Sequence, residues 1–450
     1  MKDLRERLAA QGVHTLVAQL TDLHGVAKGK FMPLAHLDEL LTDGAGFNAT
    51  SIAGSGLPRT GPRSEYRARG YASTARPLSW MPGYARVVCD GFVEGEPFEA
   101  CPRQVLRRAE AALGQRGWHL RVGIEPEFFL LRRDARGWRP ADDDDRLDNA
   151  SYDLRALPRQ AAFLQDLQRA LAGAGLDVTQ FDHEDAPGQF EVNFGFDEAM
   201  ASADHVMLFK FAGQALAEAR QMVFSLMPRP FADLPGSGMH FHVSLWQGHG
   251  SNARNLFIPH RQDGAVDRQA SLSTLGQQFA AGVLAHAGAL CAIAAPTVNS
   301  YKRLRVGAAR SGTSWAPACV SHGHNNRTAL MRTLHDRFEW RLPDASANPY
   351  LALATLVAAG LDGIDRTLAL PPAVECDLYE VSPAQWAERG LERLPQDLGQ
   401  ALDALAADEV MRAALGPLLT QEFIRLKRAE YEAYADHVSD WELERYAARF

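Results

Sequence analysis

The chain has 450 residues, 46% of them hydrophobic and 23% charged, and its 55 acidic against 47 basic side chains leave a formal charge of −8. A chain this long buries enough apolar surface to fold without disulfide or metal staples, and the lack of a basic excess argues against nucleic-acid binding driven by counterion release. Five cysteines, an odd number with no CxxC spacing, argue against a disulfide scaffold and a structural zinc site and fit a reducing cytoplasm. Phe279 to Val298 carries no formal charge and is long enough to span a bilayer, but it is rich in Ala and Gly and holds His286 and Pro296. It reads as buried helix, and no membrane association is expected.

Turn signals divide the first hundred residues into short elements. Lys2 to Ala10 reads as a charged helix start without the apolar core of a signal peptide, and Thr15 to Leu20 alternates as a strand. Ser51 to Pro77, rich in Gly, Ser, Pro and Arg, reads as loop, and Tyr84 to Cys89 as strand. Pro102 opens an amphipathic helix running to about Gln115. The break before it divides the chain into a domain of residues 1–101 and a larger one of 102–450. Strand-like runs then alternate with helical runs over 154–174, 197–219 and 272–295. The last third is helical over 349–368, 396–415 and 419–434. The acid run Asp142 to Asp145 reads as a solvated loop tip, because the glycine turn and closing glutamate of a calcium loop are missing.

Four segments carry the chemistry. Strand side chains alternate faces, so residues i and i+2 point the same way. In Gly123–Phe128, Glu125 and Glu127 share one face while Ile124, Pro126 and Phe128 share the other. Gln189–Phe194 sets Glu191 among polar neighbours, Met239–Leu245 sets His240, His242 and Ser244 together, and Phe338–Leu342 pairs Glu339 with Arg341. Any one of these could be an amphipathic strand with a wet face. Together they repeat Glu, His and Arg where solvent-facing strands mix Lys, Thr, Ser and Gln. With Glu184, five carboxylates and one or two imidazoles become candidate ligands for Mg²⁺ or Mn²⁺, since crowded carboxylates repel unless cations lie between them. Arg303, Arg327, Arg332, Arg337 and Arg341 follow in one stretch nearly free of lysine, and guanidinium groups grip phosphate and carboxylate through paired hydrogen bonds. Cations with an arginine cluster point to phosphoryl transfer, although no GxxxxGK[ST] or GxGxxG loop is present to hold a nucleotide.

Six motifs in order resemble the glutamine synthetase family. They are Gly123–Phe129, His183–Glu184 with Gly188–Glu191, Gly236–His242, Asn299–Arg303, Asn326–Arg327, and Arg341–Asp344 with Ala347–Tyr350. The resemblance implies an α+β fold, with a small N-terminal β-grasp domain and a large catalytic domain whose curved antiparallel sheet is surrounded by helices. It implies that Glu127, Glu184 and Glu191 hold one divalent ion and Glu125, His240 and Glu339 a second. His242, Ser244, Arg332 and Arg337 would lie by the nucleotide, Gly236, Arg303 and Arg341 would bind glutamate, and Arg327 would meet the transferring phosphoryl group. The implied reaction is ATP-dependent: the γ-carboxylate of L-glutamate takes a phosphoryl group, and an amine then displaces phosphate. The implied assembly is a homo-oligomer, a two-ring dodecamer with active sites between subunits.

Departures from the family pattern bear on the amine. In glutamine synthetases proper an Asp of a Phe-Asp-Gly-Ser-Ser loop of the neighbouring subunit helps hold ammonium, where this chain has Phe47-Asn48-Ala49-Thr50-Ser51, and a flap Glu takes the proton from ammonium. No acid lies between Lys302 and His335. Two charges that attract ammonium are absent together, and Ala49 with Trp315 could line a pocket for a small alkyl group. The pattern is most similar to the type III branch, which includes γ-glutamylmethylamide synthetases. The expectation is a ligase using methylamine, with ammonia as the alternative. An inactive scaffold is a further alternative, although all six ligand positions are filled. Asp233-Leu234-Pro235 also lacks the Asn often found before Gly236, and the segment between Arg332 and Glu339 lacks the usual Lys.

Overall fold

The computed structural model describes residues 2–135, 137–147, 149–260, 266, 271–305 and 314–450. An N-terminal sheet contains β1 (Thr15–Thr21), β2 (Ala27–Pro33), β3 (Ala45–Asn48), β4 (Glu65–Gly70) and β5 (Tyr84–Val93), in the order β2-β1-β5-β4-β3. β1 and β5 run parallel at its centre and the other neighbours antiparallel. Nearly every residue of β1 and β5 is buried, whereas β2 is exposed along most of its length. Lys28 and Lys30 on that edge discourage pairing with a further strand. β4 corrects the reading of Ser51 to Pro77 as loop. Its arginines and glycine mask an alternation in which Tyr66 and Ala68 are buried.

The larger sheet contains β6 (Trp118–Asp134), β7 (Val178–His183), β8 (Gln189–Phe194), β9 (Met239–Gln247), β10 (His322–His324), β11 (Met331–Thr333) and β12 (Phe338–Trp340). Its order is β7-β8-β6-β9-β12-β11-β10, antiparallel except where β10 and β11 run parallel. Its apolar face packs on helices. Phe128 of β6 meets Phe190, Phe209 and Phe224 with ring centroids 5.8, 5.7 and 4.7 Å away, and Phe241 of β9 meets Trp340 at 5.8 Å. Aromatic contacts of this kind add to the burial of the rings themselves.

A buried ionic knot ties the layers. Arg103, on helix Pro102–Gly114, grips both oxygens of Asp204 at 2.9 Å and also binds Asp90 of β5. Tyr350 donates its hydroxyl to Asp204 at 2.7 Å, and Arg86 donates to the Asp204 carbonyl at 2.9 Å. The knot thus joins the small sheet to helices Ala199–Glu218 and Pro349–Asp365.

Most expected helices lie within a few residues of their sequence bounds, but two are broken. The run 272–295 forms Thr274–Ala285 and Ala287–Ala294, bent by 74° at His286, and the run 396–415 forms Leu398–Ala407 and Glu409–Leu415, interrupted at Asp408. The breaks meet: His286 Nδ1 lies 2.6 Å from Asp408 and Nε2 lies 3.0 Å from Asp362. Among the described residues no single helix is long and apolar enough to cross a membrane, and the bent pair lies mostly in the core.

Burial opposes charge on His286, but its hydrogen bonds to Asp408 and Asp362 outweigh it and raise the imidazole above its ordinary 6.5. Its contribution to stability is therefore complete below about pH 6.5 and is lost as pH rises through the raised value. For Asp408, too, burial acts against the charge, and the bond to His286 wins and lowers its pKa. That contribution is present above the usual carboxylate range and is lost on acidification. Thermal melts should show His286→Asn lowering stability by about 1–3 kcal/mol near pH 6, with the difference from the parent shrinking toward pH 9. A difference independent of pH would contradict a charged bridge.

Candidate active site

Strand register builds the site. β6 and β9 pair His240 with Glu125, β6 and β8 pair Glu127 with Glu191, and β9 and β12 pair His242 with Glu339. β11 adds Arg332 opposite Glu339. Directly opposed residues share a face, so one side of the sheet gathers the predicted carboxylates and imidazoles while the other fills the core. Ligand atoms of Glu125, His240 and Glu339 all lie within 4.8 Å of one another, as do those of Glu127, Glu191 and His240. The first set is the expected second-ion trio. In the other set His240 stands where the sequence reading put Glu184, which lies beside the same carboxylates.

The two halves differ in charge compensation. Burial raises Glu127 against the pull of the Gly238 amide, Arg303 and Arg341; burial and the neighbouring carboxylates raise Glu191; and burial with the charges of Glu127, Asp182 and Asp185 pushes Glu184 up to about 8. Glu339 behaves oppositely. Burial acts against its charge, but Arg341, the two histidines and Arg332 hold it well below the usual carboxylate range. Arg332 Nη1 donates to it at 2.9 Å, and Arg341 bonds its other oxygen. Burial and the nearby Arg341 depress His240, keeping it a neutral donor ligand. Its Nε2 has no hydrogen-bond partner among the described residues. Oxygen donors, one imidazole and carboxylates whose pKa values stay raised in the Glu127–Glu184–Glu191 half fit a hard divalent cation. Gln189 Nε2 donates to Glu127 at 2.9 Å, and Asn193 Nδ2 donates to Glu191 at 3.0 Å, which orients both carboxylates.

A cavity of about 460 Å³ opens beside Glu125 and is lined by His242, Ser244, Asn193, Trp246 and Arg337 among others. Arg337 Nε lies 3.2 Å from His242 Nδ1, and Phe196 stacks with Trp246 at 6.2 Å. A guanidinium and a stacked aromatic pair in one lining suit a nucleotide. Of the residues expected there, Arg332 alone lies outside the lining, held by Glu339 and Asn325.

Arg303 is buried, donating to the carbonyls of Leu342 at 2.9 Å and Arg341 at 3.0 Å, and Arg341 Nη2 donates to the Trp315 carbonyl at 3.1 Å. Gly236 lies against Arg303, whose Cγ would stand 3.1 Å from an added Cβ. Arg327 is exposed, and its charge reaches Tyr152, whose phenol also feels Glu184. Residues 306–313, the middle of the acid-free flap, lie outside the described residues.

Two acids carry more than the sequence reading gave them. Asp145, taken as part of a solvated tip, is buried: it bonds His183 Nε2 at 2.7 Å and accepts from the Gly188 amide at 2.6 Å, pinning the turn that presents Glu184. Asp142 and Asp143 are held by Arg159 and Arg132, so the run is largely paired. Asp185 is also buried and accepts from Ser151 at 3.2 Å and from the Trp315 indole at 3.3 Å. Trp315 holds a left-handed backbone (φ 51°), uncommon for a bulky residue. The acid next to Glu184 in His183-Glu184-Asp185 was the signal that could have found it.

Gly238 leaves room at the centre. An added Cβ would stand 2.6 Å from His240 Nε2, 2.8 Å from Arg303 Nη2 and 3.1 Å from Glu127 Oε1. Gly238→Ala should leave circular dichroism unchanged while weakening Mn²⁺ binding by calorimetry at least tenfold. Unaltered affinity would detach His240 and Glu127 from the metal set.

Comparison with known proteins agrees with this geometry. The family model described as glutamine synthetase, catalytic domain, matches residues 99–446. The glutamate–methylamine ligase of Methyloversatilis universalis is 44% identical over 448 residues, covering 100% of this chain and 99% of its own. A glutamine synthetase of Halobacterium salinarum is 36% identical, covering 98% of this chain and 95% of its own. Among solved structures, an ADP complex of GmaS superposes with a TM-score of 0.89 at 33% identity, covering 99% of this chain and 100% of that one. The catalytic-domain match across most of the chain and the full-length identity place the protein in the glutamine synthetase family.

Proposed function

We propose that this protein is an ATP-dependent ligase joining the γ-carboxylate of L-glutamate to a small primary amine, methylamine in preference to ammonia. The carrying observation is the single sheet face on which a crowded carboxylate set meets Arg303, Arg332 and Arg341 beside a nucleotide-sized cavity. In the first step a glutamate γ-carboxylate oxygen attacks the γ-phosphorus of ATP and ADP leaves. In the second, the amine nitrogen attacks the γ-carbonyl carbon, phosphate departs and the amine gives up a proton. Mg²⁺ or Mn²⁺ held by Glu127, Glu184 and Glu191 and by Glu125, His240 and Glu339 would supply neutralisation of the phosphate oxygens.

The chain's own residues do the rest. Arg303 and Arg341 hold glutamate against Gly236, and Arg327 meets the phosphoryl group in flight. His242, Ser244 and Arg337 border the nucleotide, and Arg332 fixes Glu339. The buried face limits the water that would hydrolyse an acyl phosphate. Asp185 supplies a negative charge that attracts a cationic amine, and the Trp315 indole beside it offers an apolar wall for a methyl group. The Methyloversatilis universalis relative, a glutamate–methylamine ligase, supports that amine. Asn48 sits in the small sheet and caps its own turn, accepting from the Thr50 amide at 3.1 Å. The assembly that goes with this reading is a two-ring dodecamer that brings its loop to a neighbour's site. Five unpaired cysteines suit a reducing, cytoplasmic setting.

Purified protein given ATP, L-glutamate and Mg²⁺ with either methylamine or ammonium tests the reading, with phosphate release and product mass as readouts. We expect kcat/KM for methylamine at least tenfold above that for ammonium. Asp185→Asn should raise KM for methylamine at least tenfold with a smaller change in kcat. Ammonium used faster than methylamine would make the protein a glutamine synthetase, and no amine-dependent phosphate release would make it an inactive scaffold.

A further inference from the structure

A second cavity, about 650 Å³, lies away from the sheet face, between the β1–β2 hairpin and the larger domain. Its cations are Lys28 from the hairpin, Lys210 from helix Ala199–Glu218 and Lys427 from helix Pro417–Ala435, with His24 beside them. Among the described residues none that lines it is acidic. The remaining wall is largely apolar, including Val17, Phe31, Met207 and Phe211.

Lys210 is the unusual member. It is 8% exposed, and the protein acceptor on its ammonium is the Ala347 carbonyl at 3.0 Å, although an ammonium offers three donors. Burial pushes it down to about 8, against the pull of Asp344 and Asp22. A buried ammonium short of acceptors at the wall of an apolar cavity is costly unless an anion completes it. Lys427 already pairs with Glu430 at 2.8 Å, which leaves Lys210 and Lys28 as the anchors.

We propose that this cavity is a binding site for a small organic anion with an apolar body, its acidic head on Lys210 and Lys28 and its body against Met207 and Phe211. Asp344 is fully buried, and its charge is felt by both Lys210 and the glutamate-binding Arg303. The β2 edge and the hairpin turn give access, since Val26 and Phe31 are 48% and 62% exposed.

Calorimetry with naphthalene-2-sulfonate tests the site, with the neutral naphthalene-2-sulfonamide as its isostere. The expected result is one sulfonate per chain and sulfonamide binding at least tenfold weaker. Lys210→Met should weaken sulfonate binding at least tenfold. Should that buried substitution fail to fold, Lys28→Glu on the exposed rim decides, with an expected loss of at least fivefold and unchanged ligase activity. Equal binding of sulfonamide, absence of sulfonate binding up to 1 mM, or sulfonate binding unaltered by Lys28→Glu would overturn the proposal.

Discussion

Strand register in the large sheet sets Glu125, Glu127, Glu191 and Glu339 on one face with Glu184 beside them, and the repulsion among these carboxylates is the constraint that the rest of the site answers. Half of the answer is built from protein. Glu339 lies between Arg341 and Arg332 and stays ionised in spite of its burial. Among the described residues no arginine hydrogen-bonds Glu127, Glu184 or Glu191; Arg303 and Arg341 pull on Glu127 from a distance, and burial still raises all three. A face with one half compensated and the other straining toward a cation is a poor device for stability. It is a good one for gathering metal and phosphate, where charge arriving with the substrate completes the balance.

The fold protects that arrangement by dividing labour between the two faces of the same strands. Phe128, Phe190 and Phe241 point away from the carboxylates into the core, so a register slip of one residue would bury glutamates among aromatics. Behind them the Arg103–Asp204–Tyr350 knot joins the small sheet to two helices, and the His286–Asp408 bridge ties two helix breaks together. Each knot pairs its buried charges, which is the condition under which charge survives in a core.

Much of the site could be read from alternation in the sequence, because a two-residue period is local and the four strands repeat it with the same residue types. The order of the strands and the pairing of Glu125 with His240 are non-local, and came only with the structure. The helix break at His286 was hidden because apolar composition runs on through it, and the one at Asp408 because the helical spacing of apolar residues resumes after it; the bridge that joins the two breaks links residues 122 positions apart. β4 was hidden in loop-like composition. Asp145 looked like one acid of a solvated run, yet its role depends on His183, 38 residues away. Asp185 sat in plain view beside Glu184, but its meaning rests on Trp315 folding over it. The loss of acids at Asn48 and along the flap was legible. The contact between Asp185 and the Trp315 indole was not.

The central claim is that this one sheet face holds two divalent cations. The most direct measurement is a crystal grown with Mn²⁺ and ADP, with anomalous differences recorded at the manganese edge. The account predicts two strong peaks, one among Glu127, Glu184 and Glu191 and one among Glu125, His240 and Glu339. A face without manganese, or manganese held only by exposed carboxylates elsewhere, would contradict it.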